Sequence, residues 1–548
     1  MKNKNFRNLV LLLILFFSFQ ISNAQMVLSD GSRVNVNSGT TIIQSGNVTI
    51  NSGAIFELSG NMAVTGTFAN NAGTSGFVLK SDATGTGSLI ESSGINATIE
   101  KYIAEDIYHY LSSPVNDQAL TIFTHTGIAH TDFDLFYYRE VCNFGGGPAW
   151  IDAGDKTSGI LEVGLGYAYA YTKSGNSDTT LSFSGTTNTG TITKPITYTY
   201  NADISTDTSY FGWNLVGNPY PSRINATTFI NDNSNIYGTL YFWDEAGAIE
   251  YSDYATWNIS GGVAGGGGNP PNGFIDVGQA FMVHTTTTST SVSFNNNMRV
   301  HNTAQFFKEN KDIKRFKISV ENEEGYYNET LIAFLEGTTN GFDNKYDGLK
   351  PKLNSNIALY TKLVEDDGYD YAIQGLPPLS NGGVTVKLGI DAGTEGIYTF
   401  NVVDIEKFHD TTSIFLEDLI NNISVNLRKT SEYTFNVNET GSITDRFLLH
   451  FNTSAVGINE PGSINNQIKV YTHNDIIYIE NNDPFGDIYV EIYNTRGQQL
   501  ISRKLDNKNK NEIPVNAGRG IYIARVFSEE QVFTAKVYLG DCLLSIDY

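Results

Sequence analysis

The side chains that could perform acid–base or metal chemistry follow no established catalytic spacing along this sequence. It contains neither HExxH, which places two zinc ligands on one helix face, nor the GxSxG turn of serine hydrolases. The closest histidines, His125 and His130, are spaced for neither one face of a helix nor one face of a strand. We therefore predict no metal centre at this pair and no resident cofactor.

Two clusters of carboxylates are the visible candidates for glycoside hydrolysis. A glycosidase needs two acids near one bond, and these can come from distant strands without leaving a local motif. The clusters are Asp244-Glu245 and Glu365-Asp366-Asp367. Adjacent acids at turns are more typical of a solvated surface, so the sequence favours that interpretation without excluding the catalytic one.

A calcium site is the remaining metal hypothesis. The segment Asp343–Gly348 has a partial likeness to a calcium-binding loop, but Lys345 stands where a ligand is needed. No Glu follows at the twelfth position of such a loop, so this is not an EF-hand. A structural Ca²⁺ elsewhere in so acidic a chain stays open.

Aromatic residues make up 12% of the chain and suggest two roles. Exposed rings can stack on sugars, which makes Trp213, Trp243 and Trp257 candidates for glycan binding. Aromatic side chains that alternate along strands more often form the core of a β-sandwich. We favour the core interpretation for these three residues.

Composition and charge narrow the class of protein. The formal net charge is −23, so the chain lacks the basic footprint that nucleic-acid binding requires. Charged residues are only 17% of the chain, and Gly, Asn, Thr and Ser abound, which favours strands joined by short turns. The only cysteines, Cys142 and Cys542, fall in different predicted modules, so we expect no disulfide between them.

The amino terminus has the pattern of a cleaved signal peptide. Basic residues at Lys2, Lys4 and Arg7 precede the apolar run Leu9–Phe19, which is too short to span a bilayer comfortably. Small residues follow in Ser22-Asn23-Ala24, which predicts cleavage between Ala24 and Gln25. We thus expect a signal peptide at residues 1–24 and export of the rest.

Glycines recur every few residues between Gly39 and Gly73 and divide residues 25–100 into short alternating strands. Each strand places two apolar side chains on one face, and we expect an inward set of Val36, Val48, Ile50 and Val64. Stacked coils of a β-solenoid would bury this face, and so would a plain meander packed on the next module. The sequence leaves both alternatives open.

Two β-sandwich-like modules are predicted next, at residues 101–310 and 311–455, followed by a polar linker at 456–467. Within the first, Gly261–Gly273 reads GGVAGGGGNPPNG and predicts a mobile surface loop, with a ligand lid as the alternative. The candidate strands are Phe136–Tyr138, Ala168–Tyr171, Ile196–Tyr200, Leu240–Trp243, Ala280–His284, Ser291–Phe294, Phe316–Val320, Leu331–Leu335, Val384–Leu388, Ile397–Val403, Tyr433–Val437 and Phe447–Phe451.

Several phrases in these modules resemble exported Bacteroidota proteins. In the first module they are Tyr110–Val115, Gly212–Ser222 and Gly278–Phe281. In the second, three phrases resemble the region upstream of sorting domains in such proteins: Tyr346-Asp347-Gly348, Leu416-Glu417-Asp418-Leu419 and Asp445-Arg446-Phe447. The resemblance supplies a cellular context and implies no particular activity.

Residues 468–548 alternate well enough to predict a small sandwich of about seven strands. The order and spacing of three phrases resemble the type A sorting domain of type IX secretion: Ile492-Tyr493-Asn494-Thr495-Arg496-Gly497, Gly520-Ile521-Tyr522 and Lys536-Val537. The resemblance implies that the sorting motif consists of Tyr493, Gly497, Gly520, Ile521, Tyr522, Lys536 and Val537.

The resemblance to the type A sorting domain also implies the partners of this chain. In that family, the sorting domain engages the type IX machinery of the outer membrane and is commonly removed as the cargo is attached to surface lipopolysaccharide. Two departures bear on export. The Pro-Asn-Pro that often follows the first strand is replaced by Tyr471-Thr472-His473-Asn474, and the chain continues past Lys536-Val537 to Tyr548.

The sequence as a whole predicts an all-β, multi-domain protein of the outer cell surface or extracellular space. We expect a non-enzymatic adhesin, matrix protein or interaction platform, with glycans or other surface proteins as partners. The alternative is an extracellular carbohydrate-active protein, which would be a glycan-binding module, a glycoside hydrolase or a lyase. A fold alone does not decide between them.

Overall fold

The structure, a computed structural model, covers most of the chain. It describes residues 24–104, 107–123, 133–140, 149–153, 158–171, 178–205, 211–245, 253–301, 313–352, 354–379, 383–452, 468–473, 476–481, 488–494, 498–506, 508, 510–515, 518, 520–527 and 532–539. The signal-peptide segment 1–23, His125, His130 and both cysteines lie outside this part of the chain.

The described residues are almost entirely β-structure with one α-helix, which confirms the all-β prediction. The first strands are β1 Met26–Leu28, β2 Arg33–Val36, β3 Thr41–Gln44, β4 Val48–Ile50, β5 Ile55–Leu58, β6 Asn61–Val64, β7 Phe68–Asn70, β8 Phe77–Leu79, β9 Ser81–Asp82, β10 Gly85–Thr86, β11 Ser88–Ile90 and β12 Asn96–Ile103. The next elements are β13 His109–Leu111, β14 Phe133–Arg139, β15 Ala149–Asp152, β16 Tyr167–Tyr171, β17 Thr179–Thr186, β18 Ile192–Ile196, β19 Trp213–Gly217, β20 Arg223–Asn225, α1 Ala226–Asp232, β21 Leu240–Asp244, β22 Asp253–Asn258, β23 Gly261–Val263, β24 Phe274–Ile275, β25 Ala280–His284, β26 Thr290–Phe294 and β27 Arg299–Val300.

The remaining strands form two further groups. The first is β28 Lys314–Asn322, β29 Tyr327–Phe334, β30 Gly348–Leu349, β31 Ile357–Lys362, β32 Tyr371–Leu376, β33 Val384–Ala392, β34 Gly396–Glu406, β35 Ser413–Asp418, β36 Ile423–Asn426, β37 Glu432–Val437 and β38 Gly441–Asn452. The second is β39 Ile468–His473, β40 Ile476–Asn481, β41 Tyr489–Asn494, β42 Gln499–Lys504, β43 Lys510–Pro514, β44 Gly520–Phe527 and β45 Val532–Leu539.

The chain divides into two compact units. The first consists of Met1–Tyr237 with Gly273–Phe307, and the second of Gly238–Asn272 with Lys308–Tyr548. Strands β21 to β23 therefore belong to the second unit although they interrupt the first in sequence. In the described part of the chain, no helix has the length and hydrophobicity of a membrane span.

The first unit begins with stacked parallel coils, so the tract is a β-solenoid rather than a meander, whose neighbouring strands would be antiparallel. Its three faces are the ladders β1-β4-β7, β2-β5-β8-β12 and β3-β6-β11. The predicted inward side chains are confirmed, since Val36, Val48, Ile50 and Val64 are 6%, 0%, 0% and 5% exposed. At one corner the coils approach so closely that a Cβ at Gly66 would lie 2.5 Å from backbone atoms of Gly46.

The phrase Gly212–Ser222 joins the rest of the first unit to the solenoid through backbone hydrogen bonds. The Leu89 amide of β11 donates to the Pro221 carbonyl at 2.7 Å. Asn218 donates from its side chain to the Ser222 carbonyl at 2.8 Å, which fixes the turn. The buried Arg299 donates to the carbonyls of Glu91 and Leu89 at 2.6 and 2.9 Å. The phrase therefore has a structural role in this unit.

In the second unit, eleven strands form one curled sheet, ten of them in the order β36-β35-β38-β33-β31-β32-β29-β28-β34-β37, with β30 paired to β32 beside this path. Asp418 of β35 connects the two end regions of this sheet. It forms a buried ion pair with Arg446 of β38 at 2.8 Å, and it accepts a hydrogen bond from Tyr433 of β37 at 2.9 Å. Arg446 also lies 4.9 and 4.8 Å from the ring centroids of Phe435 and Phe447. Burial acts to raise the pKa of Asp418, but the guanidinium beside it holds that pKa below its usual value.

The prediction of a surface loop over Gly261–Gly273 is wrong for its first half. Residues 261–263 form β23, which pairs with β22, and Val263 packs with Leu331 in a buried cluster. A Cβ at Gly262 would lie 2.3 Å from the Pro271 carbonyl, so glycine here permits close packing. Residues 267–270 are exposed, as predicted.

The solenoid core generates a stability prediction. We expect Val48→Asp to lower the free energy of unfolding of the solenoid by about 4 kcal/mol, because it buries a carboxyl group without a partner. Ser52→Asp is the matched control, since Ser52 is exposed at the next turn of the same coil. Urea unfolding followed by hydrogen exchange of solenoid amides measures both variants. Equal stability of Val48→Asp and the parent would contradict the inward assignment.

Candidate functional site

The two sets of predicted site residues lie at opposite ends of the sequence. At the first, Ala24 and Gln25 are exposed and directly precede β1. An exposed, extended segment is accessible to a peptidase, but cleavage itself stays a prediction. At the second, the described motif residues all lie in the C-terminal sandwich, while Gly497 lies outside the described residues.

The C-terminal sandwich consists of the predicted seven strands in two antiparallel sheets. Their orders are β39-β40-β43 and β42-β41-β44-β45. The alternating sequence of each strand places one side-chain set between the sheets. The resulting core is Ile477, Ile479, Ile488, Val490, Ile492, Leu505, Ile513, Val515, Tyr522, Ala524, Val526, Val537 and Leu539.

The strand register brings the separate motif phrases together. On β44 and β45, Tyr522 is paired with Val537, and Ile523 with Lys536. On the other side of β44, Ile523 is paired with Tyr493 of β41. The motif residues therefore meet at one end of the four-stranded sheet, although more than forty positions separate the first from the last in sequence.

Tyr522 fixes the start of β44 from inside the core. Its side chain is buried, and its hydroxyl donates a hydrogen bond to the Gly518 carbonyl four residues earlier. This contact resembles the tyrosine corner of immunoglobulin-like sandwiches, in which a hydroxyl closes the loop before a strand. Gly520 begins the strand with a φ of 159°, a backbone conformation that residues with a side chain rarely adopt. The Gly-Ile-Tyr phrase thus has a local structural purpose.

The outward side chains of the same strands form a row of aromatic and charged groups. Tyr493 donates to Glu491 at 2.7 Å, and Arg525 contacts the same carboxylate at 3.2 Å. The hydrogen bond to the Glu491 carboxylate, with partial burial, raises the pKa of Tyr493. Next along the row, Tyr489 and Phe527 stack with centroids 5.7 Å apart, and Arg525 lies 4.9 Å from the Phe527 centroid. Such a face can bind a protein through ring contacts and paired charges.

Sequence reasoning did not single out Tyr489, Glu491, Arg525 or Phe527. Strand alternation indicates that all four point outward, since each directly precedes or follows a buried residue of its strand. Their assembly into one row depends on the pairing register, which places Tyr489 opposite Phe527 and Glu491 opposite Arg525. Register is a long-range property and has no local sequence signal here.

The carboxylates considered for catalysis are engaged in local structure. Asp244 accepts hydrogen bonds from the amides of Gly265 and Gly266 at 3.1 and 3.2 Å, and burial raises its pKa. Glu245 accepts from the Trp243 indole at 2.9 Å. Asp366 accepts the Gly368 amide at 2.9 Å in an exposed turn. These contacts fit the structural interpretation of both clusters.

The segment Asp343–Gly348, which has a partial likeness to a calcium-binding loop, is likewise held by hydrogen bonds from backbone amides. Asp347 accepts from the amides of Gly375 at 2.7 Å and Asp343 at 2.6 Å. Burial raises the pKa of Asp347 to about 7. A carboxyl group that already accepts two amide hydrogen bonds and retains its proton more readily than an ordinary aspartate is a poor ligand for Ca²⁺. Among the described residues, no group of three His, Cys, Asp or Glu side chains is placed to hold a metal ion.

The tryptophans divide into packed and exposed members. Trp257 is buried, Trp243 contacts the Tyr254 ring edge-on at 5.5 Å, and Trp213 lies 4.8 Å from the His284 ring, which fits the core interpretation. Trp150, which sequence reasoning did not single out, is 40% exposed. Its ring lies 5.5 Å from Tyr110 and 5.3 Å from Tyr138, and we name these three residues the aromatic platform.

A shallow groove of about 250 Å³ crosses the solenoid in the first unit. Its lining is polar and includes Asn61, Lys80, Asp82, Thr84 and Arg223. Lys80 is paired with Glu100, and Arg223 with Asp276 at 3.1 Å. The cationic groups of the groove are therefore already neutralised by neighbouring carboxylates.

Comparison with known proteins identifies two regions of the chain. The family described as a domain of unknown function (DUF8693) matches residues 18–451, and the secretion system C-terminal sorting domain matches residues 473–539. No curated protein matches the chain. A solved structure entitled "Biofilm associated protein - BSP domain" is 8% identical, with 81% of this chain and 93% of that chain covered, at a TM-score of 0.12. A likeness this weak carries no inference.

The hydroxyl of Tyr522 generates the next prediction. We expect Tyr522→Phe to lower the stability of the C-terminal sandwich by about 1 kcal/mol, because the Gly518 carbonyl loses its donor. Tyr493→Phe is the control, since it removes an outward hydroxyl from the same sheet. All four tryptophans precede residue 300, so hydrogen exchange of β44 and β45 amides is the suitable measurement. Equal exchange in both variants would contradict a stabilising role for the hydrogen bond from the Tyr522 hydroxyl to the Gly518 carbonyl.

Proposed function

We propose that this protein is a non-enzymatic adhesin or interaction platform. The chain belongs to the family described as a domain of unknown function (DUF8693), and it carries a C-terminal sorting domain. The sorting domain makes the chain a cargo of type IX secretion, exported to the cell surface or extracellular space. Its partner in export is the type IX machinery. The proposal concerns what the remainder of the chain, the passenger, does after export.

The convergence of the motif residues in the C-terminal sandwich supports the role of this domain as a recognisable folded signal. Tyr522 and Val537 hold the core, while Tyr493 and Lys536 lie on the outward side of the same strands. A machine that transports many passengers needs a surface that does not vary with the passenger. A sandwich with a core of its own provides that surface.

The aromatic platform is the observation that carries the adhesin proposal. Trp150 is exposed on β15, the edge strand of the sheet β13-β16-β14-β15, and its ring contacts the rings of Tyr110 and Tyr138. A rigid, partly exposed aromatic group offers contact area at low entropic cost. Of the carboxylates considered for catalysis, Asp244 and Asp366 accept hydrogen bonds from backbone amides and Glu245 accepts one from an indole.

Glycan binding is the second candidate function, and the same platform favours it. Aromatic rings stack on the apolar face of a sugar, and carboxylates nearby accept hydrogen bonds from its hydroxyl groups. Asp152 lies two positions from Trp150 on β15, so the two side chains are on the same face of the sheet. In this form the protein is a carbohydrate-binding adhesin, and the glycan is its ligand rather than its substrate.

The maturation steps complete the proposal. Cleavage between Ala24 and Gln25 releases the chain into the periplasm, and removal of the C-terminal sandwich accompanies attachment of the passenger to surface lipopolysaccharide. The exposure of Ala24 and Gln25 supports the first step. The separation of the two apolar cores at residues 316–451 and 477–539 supports the second, because a cut between them leaves each core complete.

Truncation after Asn452 tests the export signal. We expect the truncated passenger to fold and to accumulate in the periplasm of a host with type IX machinery, since the signal is gone while the core of residues 316–451 remains. A matched pair of point variants refines the test: Val537→Asp disrupts the buried core and should abolish export, whereas Lys508→Ala changes an exposed residue outside the motif and should leave export unchanged. Cell fractionation measures all three. Normal surface delivery of the truncated chain would refute the assignment.

Substitution of the exposed tryptophan tests the adhesin proposal. The purified passenger is screened against glycans and host-matrix proteins, and we expect Trp150→Ala to weaken binding of any retained ligand by about tenfold. Tyr200→Ala is the control, because Tyr200 is 46% exposed in the same unit. Turnover of a polysaccharide by the passenger, abolished by changing one acidic pair, would instead establish an enzyme.

A further inference from the structure

Among the described residues, none pairs with the outer edges of the three strands of the first solenoid coil, and its core is only partly covered at that end. Strands β1, β2 and β3 are each the last member of their ladder, paired only with β4, β5 and β6 within the described residues. We name the exposed face formed by β1, β2 and β3 the open end. Repeat proteins normally cover such an end with a polar cap, because each coil buries its core only against a neighbour.

The side chains of the first coil show what a neighbour would bury. Met26, Val34 and Ile42 are each only half-buried. Their paired residues one coil further in are Val48, Phe56 and Met62, and all three are 0% exposed. At these three inward positions the second coil is thus fully covered and the first is not, whereas Leu28 and Val36 of the first coil are already buried, at 5% and 6% exposed.

The backbone at the open end is available for strand pairing. Met26 and Leu28 use their backbone groups toward β4, so those of Val27, which alternate with them, face outward. By the same alternation, Arg33 and Asn35 of β2 and Thr41 and Ile43 of β3 direct their amides and carbonyls to the open side. Unpaired strand edges of this kind are templates for another chain.

We propose that the open end pairs with the open end of a second copy of this chain, forming a two-fold symmetric dimer. A two-fold axis perpendicular to the solenoid axis places β2 antiparallel to β2 of the second copy, and β1 antiparallel to β3 of the second copy. The second copy thereby matches all three strand edges at once, since the cross-section of its solenoid is the same. A single added strand would cover only one of them.

Charge supports self-association at this end. The chain carries 58 acidic and 35 basic residues, so two copies repel each other over most of their surface. Residues 24–45 contain only Asp30 and Arg33 as charged groups and are therefore locally neutral. Val27 and Ile43, 51% and 77% exposed, add apolar surface beside the outward backbone groups. Edge strands that avoid pairing usually carry lysine or proline instead.

Analytical ultracentrifugation of the chain from Gln25 to Tyr548 tests this proposal over a series of protein concentrations. We expect a monomer–dimer equilibrium. The double variant Val27→Lys with Ile43→Lys should raise the dissociation constant by about tenfold, because the new cations of one copy oppose those of the other. Both positions are exposed, so the fold is kept, and circular dichroism verifies this.

The control is Ile397→Lys with Ile420→Lys, which makes the same charge change at exposed residues of the second unit and should leave the dissociation constant unchanged. Hydrogen exchange adds an independent readout, since the amides of Val27, Arg33, Asn35, Thr41 and Ile43 should become protected in the dimer. A chain that stays monomeric at all concentrations would overturn the proposal. A dimer weakened equally by both double variants, or one in which these amides exchange freely, would overturn it as well.

Discussion

The separation of apolar cores is the constraint on which this protein depends. With only two cysteines in the chain, each module relies on the burial of alternating side chains for its stability. The C-terminal sandwich draws its core from residues 477–539, and the curled sheet before it draws its own from residues 316–451. A passenger and a signal built in this way can be separated without exposing either core.

We propose that the residues assigned to the sorting motif combine two functions, one in the core of the sandwich and one on its surface. Tyr522 and Val537 are a cross-strand pair inside the sandwich, whereas Tyr493 and Lys536 lie beside them on the outer side. The inward residues keep the sheet in register, and the register determines where the outward residues lie. A substitution inside the core therefore acts on recognition indirectly, by displacing the outward row of aromatic and charged groups.

Local patterns in the sequence predicted strands well, because alternation and turn residues are local properties. Ala280–His284 was predicted with its observed bounds, and the inward residues of the solenoid were identified correctly. Gly261–Gly266 was misinterpreted, because glycine serves close packing there rather than flexibility. The buried pair of Asp253 and Lys350, at 2.7 Å, and the aromatic platform around Trp150 depend on contacts between distant segments, for which one sequence gives no signal.

We propose that residues 468–548 act as an export signal that folds independently of the passenger. The most direct test fuses residues 453–548 to a fluorescent protein with a signal peptide and follows its location by fractionation. We predict delivery to the surface or medium in a host with type IX machinery, and retention in the periplasm when that machinery is deleted. Periplasmic retention in both hosts would contradict the account.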